Sequence, residues 1–470
     1  MQDKMVRTRI APSPTGNPHI GTIYQALFNY AFAKKHQGKF ILRIEDTDRA
    51  RLVQGAEEVL FQALDWFGLS EDESVRKGGE LGPYRQSERL TIYHKYVQEL
   101  IQKGHAYYAY YKKEEAGKKN DYDKNPGSRI ITETKEKPPT SIKEMVEKGD
   151  WVVRMRVPQQ EKITFKDEIR GEITFETSEV TQQVLIKSDG FPTYHLAVVI
   201  DDHLMEITQI VRAEEWLSST PKHVLLYRYF DWEMPQVYHT ATLRNPDKSK
   251  LSKRHGHTDV LWFQAEGYLP EAILNFLGLL GWSHPEEKEI FSLEEFITLF
   301  DLKDVRPIAP IFDLTKLSWM NGVYIREMKV EILAKELIAY YAQFGEEKNK
   351  LDAIDDKTFL KIVALAQSRI DTLKEFYPLI KHFLPDAQFI IATDMDREIA
   401  RSLQAEFQKI DNWNKDEILE VLRTVLKNHS IRMPVLYTII TGQERGLPLP
   451  ESLEILGKEA TLTCLNQGLA

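Results

Sequence analysis

Residues 7–46 read RTRIAPSPTGNPHIGTIYQALFNYAFAKKHQGKFILRIED. Residues 6–10 are predicted to form a short strand, and Ile20, Ile23, Leu27, Tyr30 and Ala31 recur near a 3.6 period, which predicts a helix over 19–36. Gly38 fits the stop of that helix, and KFILRIED at 39–46 reads as a second strand. Strand, loop, helix and strand in direct succession are the unit from which a parallel nucleotide-binding sheet is built. The helix opens on Pro18-His19-Ile20-Gly21-Thr22. A first turn offers unpaired N–H groups and partial positive charge to a phosphate chain. Gly21 leaves room for a nucleoside at the backbone, and His19 is placed to donate to phosphoryl oxygens. Taken alone, a histidine in a first turn is usually structural.

Downstream, helical patterns cover 55–67 and run from Ser87, as N-cap, to Gly104. The rhythm then fails: 107–150 is rich in Lys and Tyr with turn-prone NDYDKNPGS and KPPTS, and 151–176 alternates like antiparallel strands. This reads as an insertion, because the earlier pattern resumes near 184 with VLIKSDG, YHLAVVIDDH and a helix that Thr220 caps with Pro221 in its first turn. After VYHTATL a lysine-rich loop occupies 247–256, and nearly everything beyond reads helical, with SLEE at 292–295 as a capping box. The expected fold class is α/β. A discontinuous parallel-sheet domain (1–106 and 185–240) is interrupted by 107–184 and followed by 241–320 and a helical 321–470.

A chain of 470 residues is too long for one core, and its 42% apolar and 28% charged residues are ordinary for globular domains. No apolar run reaches the roughly 20 residues that span a bilayer, and MQDKMVRTRIAPSPTG lacks a secretory apolar stretch, so no membrane and a cytoplasmic address are expected. Cys464 is the one cysteine, which excludes an internal disulfide and a multi-thiolate zinc site. The formal charge of −9, from 62 basic and 71 acidic side chains, counts against a nucleic-acid partner unless the basic groups are locally concentrated. Lys250-Leu251-Ser252-Lys253-Arg254 is such a concentration, although alone it reads as a solvated turn.

Taken together and in this order, His19-Ile20-Gly21-Thr22 and Lys250 to Arg254 resemble the HIGH and KMSKS signatures of class I aminoacyl-tRNA synthetases. RIAPSPTG (9–16), RIEDTDR (43–49), GPYRQSER (82–89), YHLAVVIDDH (194–203), VRAEEW (211–216) and LRNPDKSKLSKR (243–254) are similar to the glutamyl-specific family. FDLTKLSWMNGVYI (312–325) and TLKEF (372–376) extend the likeness over most of the chain. The resemblance implies a Rossmann-like catalytic domain with an inserted acceptor-end domain at 107–184, a stem-contact domain at 241–320 and an anticodon-binding region at 321–470.

It further implies that ATP is bound by His19, Gly21, Thr22, Glu215, Trp216, Leu243, Leu251 and Lys253, with His19, Thr22 and Lys253 catalytic and Mg2+ on the nucleotide phosphates. L-Glutamate would be held by Arg9, Ser13, Glu45, Tyr194 and Arg212. An arginine fork binds a carboxylate through two N–H groups and offers no acceptor to an amide NH2, which rejects glutamine. Asp48 reads equally as a pocket residue or a brace, and Val198 stands where the family usually has Asn. The inserted segment lacks cysteines, so no structural zinc is expected; Lys112, Lys113, Lys118 and Lys119 would track tRNA phosphates while Tyr107 and Tyr110 stack on an unpaired end. Arg369 matches the position that reads the third anticodon base, against the alternative of a surface ion pair with Asp371 or Glu375. The implied partners are tRNA(Glu), with tRNA(Gln) open as a second acceptor, and the implied state is a monomer. Three rivals remain: a glutaminyl-specific enzyme, which would end in β-barrels, a tRNA-independent adenylyltransferase, and a non-catalytic tRNA-binding protein.

Overall fold

The computed structural model describes residues 4–110, 136–251, 258–345, 348–384 and 387–469. The chain packs as two compact units, Met1–Leu261 with Leu274–Asp313, and Trp262–Ile273 with Leu314–Ala470.

In the first unit the described strands are β1 (Arg7–Ile10), β2 (Lys39–Leu42), β3 (Ala106–Tyr110), β4 (Trp151–Met155), β5 (Lys162–Asp167), β6 (Gly171–Glu176), β7 (Val184–Ile186), β8 (Gln209–Ala213) and β9 (Gln236–Thr240). The helices include α1 (Ile20–Lys35), α2 (Ala56–Trp66), α3 (Leu90–Gln102), α4 (Ile142–Lys148), α5 (Tyr194–Leu204) and α6 (Thr220–Tyr229), and later Leu293–Leu299. β1 and β2 pair in parallel, as do β8 and β9. The pairs adjoin where the Thr208 N–H donates to the Arg7 carbonyl (2.9 Å). This is the mixed α/β architecture that the opening stretch predicts.

All four residues of β1 are buried, two of them arginines, so the strand depends on carboxylates behind it. Arg7 forks onto Glu73 at 2.9 and 2.7 Å, and Arg9 onto Asp202 of α5 at 3.0 and 3.0 Å. β2 ends at Leu42, short of the predicted Asp46, because the Ile44 N–H turns to the Tyr84 carbonyl. α1 buries Ile20, Ile23, Leu27 and Ala31 as the period predicts. Gly38 serves the stop differently from expectation: Gln37 takes the left-handed backbone (φ 53°), and Gly38 is needed because a Cβ there would lie 2.1 Å from the Val6 carbonyl oxygen.

Two predicted caps are corrected. Ser87 lies in a short 3-10 turn and gives its hydroxyl to Asp46 (2.6 Å), so α3 begins after Arg89. Thr220 is the first residue of α6, after Ser219 as N-cap, and its hydroxyl accepts from Arg212. Ser292 caps Leu293–Leu299 as expected, but the Glu295 side chain turns to His284 and Lys288. The hairpin β5–β6 is antiparallel as read, and β5 also meets β9 in parallel at Asp167 and Val237. β3, β4 and β7 form a separate antiparallel sheet.

The described elements of the second unit are helical. One core gathers Leu333, Leu337, Ile362, Val363, Phe376 and Ile380, and another Ile399, Leu403, Phe407, Ile418, Leu422 and Leu465. Cys464 is buried beside the second. Among the described residues no helix is long and apolar enough to cross a membrane.

Candidate active site

A cleft of about 1040 Å³ opens in the first unit. Parallel strands place the ends of β1, β8 and β9 and the start of α1 around one crevice, the usual location of ligands in such sheets. His19, Gly21 and Thr22 line one part of it, Arg9, Ser13, Glu45, Tyr194 and Arg212 another, and Glu215, Trp216, Leu243 and Leu251 a third. Asp48 and Val198 also face it. Lys253, together with Lys112, Lys113, Lys118 and Lys119, lies outside the described residues.

The start of α1 departs from the expectation of free N–H groups. Ile20 N–H donates to the Thr258 carbonyl (2.7 Å), Thr22 N–H to the His19 carbonyl (2.7 Å), and Gly21 N–H to His19 Nδ1 (2.9 Å). His19 is thus the N-cap of α1. An imidazole that accepts at Nδ1 carries its proton on Nε2, the donor form a phosphoryl oxygen requires. A Cβ on Gly21 would lie 3.0 Å from His19 Nδ1, so glycine here makes room for the capping ring.

Two of the arginines that line the cleft, Arg9 and Arg212, have opposite surroundings. Arg9 has spent its Nε and Nη2 on Asp202, which leaves Nη1 without a partner among the described residues. Arg43 also binds Asp202 (2.8 Å) and reaches Glu45 (3.1 Å), while Arg89, Tyr93 and Gln86 hold Asp201. This cluster is fully buried and its charges are matched. Burial, the largest influence, pushes the Glu45 carboxyl up to about 7 against the opposing pull of Arg43. Arg212 is 7% exposed and meets only neutral acceptors: His239 Nε2 (3.0 Å), the Tyr194 hydroxyl (3.2 Å), His223 Nδ1 (3.2 Å) and the Thr220 hydroxyl (3.0 Å). A buried cation with no carboxylate partner among the described residues, on the wall of a cleft, is suited to receive an anion.

On the third part, Lys250 pairs with Glu215, the Tyr194 and Trp216 rings meet tilted at 34° with centroids 4.3 Å apart, and the turn 243–251 closes where the Leu251 N–H donates to the Leu243 carbonyl (3.1 Å). Among the described residues no three His, Cys, Asp or Glu side chains gather around a metal position. Tyr107 carries Arg156 over one side of its ring at 4.6 Å, and Tyr110 meets Trp151 edge-on. In the second unit no ion pair of Arg369 is found among the described residues: Asp371 takes Arg326 (3.1 Å), and Glu375 accepts from the Asp371 N–H (2.7 Å). The surface-pair alternative for Arg369 is therefore not realised.

Sequence reading missed Asp167, His239, Thr220 and His223 around Arg212, and it assigned no role to Arg43, Asp201 or Asp202. The last three stand in RIEDTDR and YHLAVVIDDH, where acids and bases in apolar runs were a signal that they must pair. Asp167 and His239 carry no such signal.

Comparison with known proteins accords with this geometry. Residues 5–319 match the family described as tRNA synthetases class I (E and Q), catalytic domain, and residues 332–469 match an anticodon binding domain. The chain is 44% identical to the glutamate–tRNA ligase of Thermus thermophilus over 482 aligned residues, covering 99% of this chain and 100% of that protein. It is 42% identical to that of Acidothermus cellulolyticus, covering 99% and 95%. The crystal structure of a glutamate tRNA ligase from Elizabethkingia meningosepticum in complex with its amino acid superposes with a TM-score of 0.81 at 33% identity, covering 99% of both chains.

Proposed function

Because the chain belongs to the class I tRNA synthetase family for glutamate and glutamine, we propose that it ligates L-glutamate to tRNA(Glu) for protein synthesis, with release of AMP and pyrophosphate. The observation that carries the choice of amino acid is Arg212, a buried guanidinium with neutral partners on the cleft wall. The side-chain carboxylate of glutamate supplies the missing anion. Glutamine would instead turn an amide N–H toward the cation and leave it unpaired, a costly arrangement in a buried site. Glu45 takes the ammonium, Arg9 adds its free Nη1, and Ser13 and Tyr194 complete the pocket. Val198 has no polar atom to offer there.

ATP lies along the His19, Gly21 and Thr22 turn and the Glu215, Trp216, Leu243 and Leu251 wall. The glutamate α-carboxylate attacks the α-phosphorus in line, a glutamyl-adenylate forms and pyrophosphate leaves. His19 Nε2–H donates to phosphoryl oxygen as charge builds, and Lys253, by its place in the motif, neutralises the leaving group. The 2′-OH of the terminal adenosine then takes the acyl group. Mg2+ would accompany the nucleotide phosphates, where it would neutralise charge during adenylate formation. The enzyme acts as a cytoplasmic monomer, and tRNA(Gln) is a possible second acceptor that the helical region would have to admit. Arg369, unpaired with Asp371 or Glu375, reads the anticodon.

Charging of purified tRNA(Glu) and tRNA(Gln) with labelled glutamate and glutamine tests this reading. Glutamate on tRNA(Glu) is the expected product. Adenylate formation is expected to require tRNA, so ATP–pyrophosphate exchange with glutamate alone would contradict that part. Glutamine as the preferred substrate would favour the glutaminyl rival.

A further inference from the structure

We propose that Asp167 and His239 are positioning residues for glutamate recognition, holding the Arg212 guanidinium in its carboxylate-binding orientation; this rests on Arg212 being the side-chain carboxylate receptor. Arg212 is buried, so each of its protein partners must present a lone pair to it and none may present a proton. His239 Nε2 accepts from Arg212 Nε–H at 3.0 Å, which requires that the imidazole proton sit on Nδ1. Asp167 enforces that tautomer. Its Oδ2 lies 2.6 Å from His239 Nδ1 and also accepts the His239 backbone N–H (3.1 Å), while Oδ1 accepts the Ile169 and Arg170 N–H groups (3.0 and 2.8 Å). Both side chains are fully excluded from solvent. Burial, the main influence, lowers His239 below the ordinary histidine value, and Arg212 acts in the same direction, which keeps the ring neutral.

Topology explains why a residue 72 positions away does this. Asp167 closes β5 at the turn into β6, and its pairing with Val237 slides that turn under β9, where His239 stands. β8 and β9 are in register at Arg212 and His239, so the fork and its ring partner are neighbours across the sheet. The hairpin lies within the segment read as inserted, yet its tip braces the amino-acid pocket. Neither Asp167 nor His239 lines the cleft, so their effect on substrate passes through Arg212.

The test is steady-state charging of tRNA(Glu) by the full chain carrying Asp167→Asn, His239→Phe, His239→Gln or Arg212→Ala, with KM for glutamate, ATP and tRNA read separately. In Asp167→Asn the amide oxygen is retained by the Ile169 and Arg170 N–H groups, and the NH2 faces Nδ1 and the His239 backbone N–H, whose hydrogen bond is lost. The ring proton then moves to Nε2, donor against the Arg212 N–H, as tautomer exchange does in serine-protease triads. Asp167→Asn and His239→Phe are expected to raise the glutamate KM about 10- to 100-fold, the equivalent of one hydrogen bond to a charged group. ATP and tRNA KM values should stay within about two-fold. His239→Gln, which can donate to Asp167 and accept from Arg212, should restore most of the affinity. Unchanged glutamate KM in both disruptive variants, with Arg212→Ala impaired, would overturn the proposal. So would a parallel rise of all three KM values, or failure of both disruptive variants to fold, either of which makes the pair merely structural. If Arg212→Ala itself leaves the glutamate KM unchanged, it is the pocket assignment that fails.

Discussion

Burial raises the Glu45 carboxyl to about 7, and the sign of its effect is fixed by its surroundings. Its folded value of about 7 lies above the ordinary carboxylate value, so between the two the folded chain holds a proton that the unfolded chain has lost. Its contribution to stability is therefore fully present below the ordinary value and is lost as pH rises through about 7. Binding runs the other way, because an ammonium needs the ionised carboxylate. The glutamate KM should fall as pH rises from about 6 to about 8, and Glu45→Gln should flatten that profile; a flat wild-type profile would detach Glu45 from the ammonium. His19→Ala should lower kcat by about 10²- to 10³-fold with the melting temperature little changed, as measured by single-turnover charging. At this scale the motif residues were legible because their chemistry is local: a His-Gly turn and an arginine in an apolar strand. What distinguishes Arg9 from Arg212 was not legible, since it depends on Asp202 lying behind one and His239 behind the other.

Elements were legible where one period dominates, as in α1, and misjudged where a side chain had a tertiary partner to prefer. Ser87 and Thr220 have good capping chemistry, yet their hydroxyls are taken by Asp46 and Arg212, and the helices start one or more residues away. Gly38 reads as a helix stop and also permits close passage of Val6, just before β1. Gly38→Ala should therefore destabilise the chain by about 1–3 kcal/mol, the usual penalty of overpacking, as read from denaturant midpoints at unchanged m-value. A loss below about 0.5 kcal/mol would show that the β1 to β2 approach is looser than the close Val6 contact suggests. The role of β5–β6 was hidden for another reason. Its alternation shows that it is a hairpin, but not which edge it will join.

Across the whole chain, a net charge of −9 and a polyanionic partner stand in tension, and the resolution must be local. Raising salt from about 50 to about 200 mM should raise the tRNA KM steeply and leave the glutamate KM nearly unchanged, because counterion release acts on phosphate contacts and not on a buried ion pair. Equal salt dependence of both would place the amino acid on an open surface. Composition announced several cores, and each unit has its own; the course of 107–184 was harder to read because β5 and β9, like β4 and β7, pair across long sequence separations. The central claim is that a buried guanidinium with only neutral neighbours selects glutamate. Its most direct test is the ratio of kcat/KM for glutamate over glutamine in the wild-type enzyme and in Arg212→Ala. The account predicts that glutamate efficiency falls by about 10²-fold or more and that the ratio collapses toward unity; a ratio preserved in Arg212→Ala would contradict it.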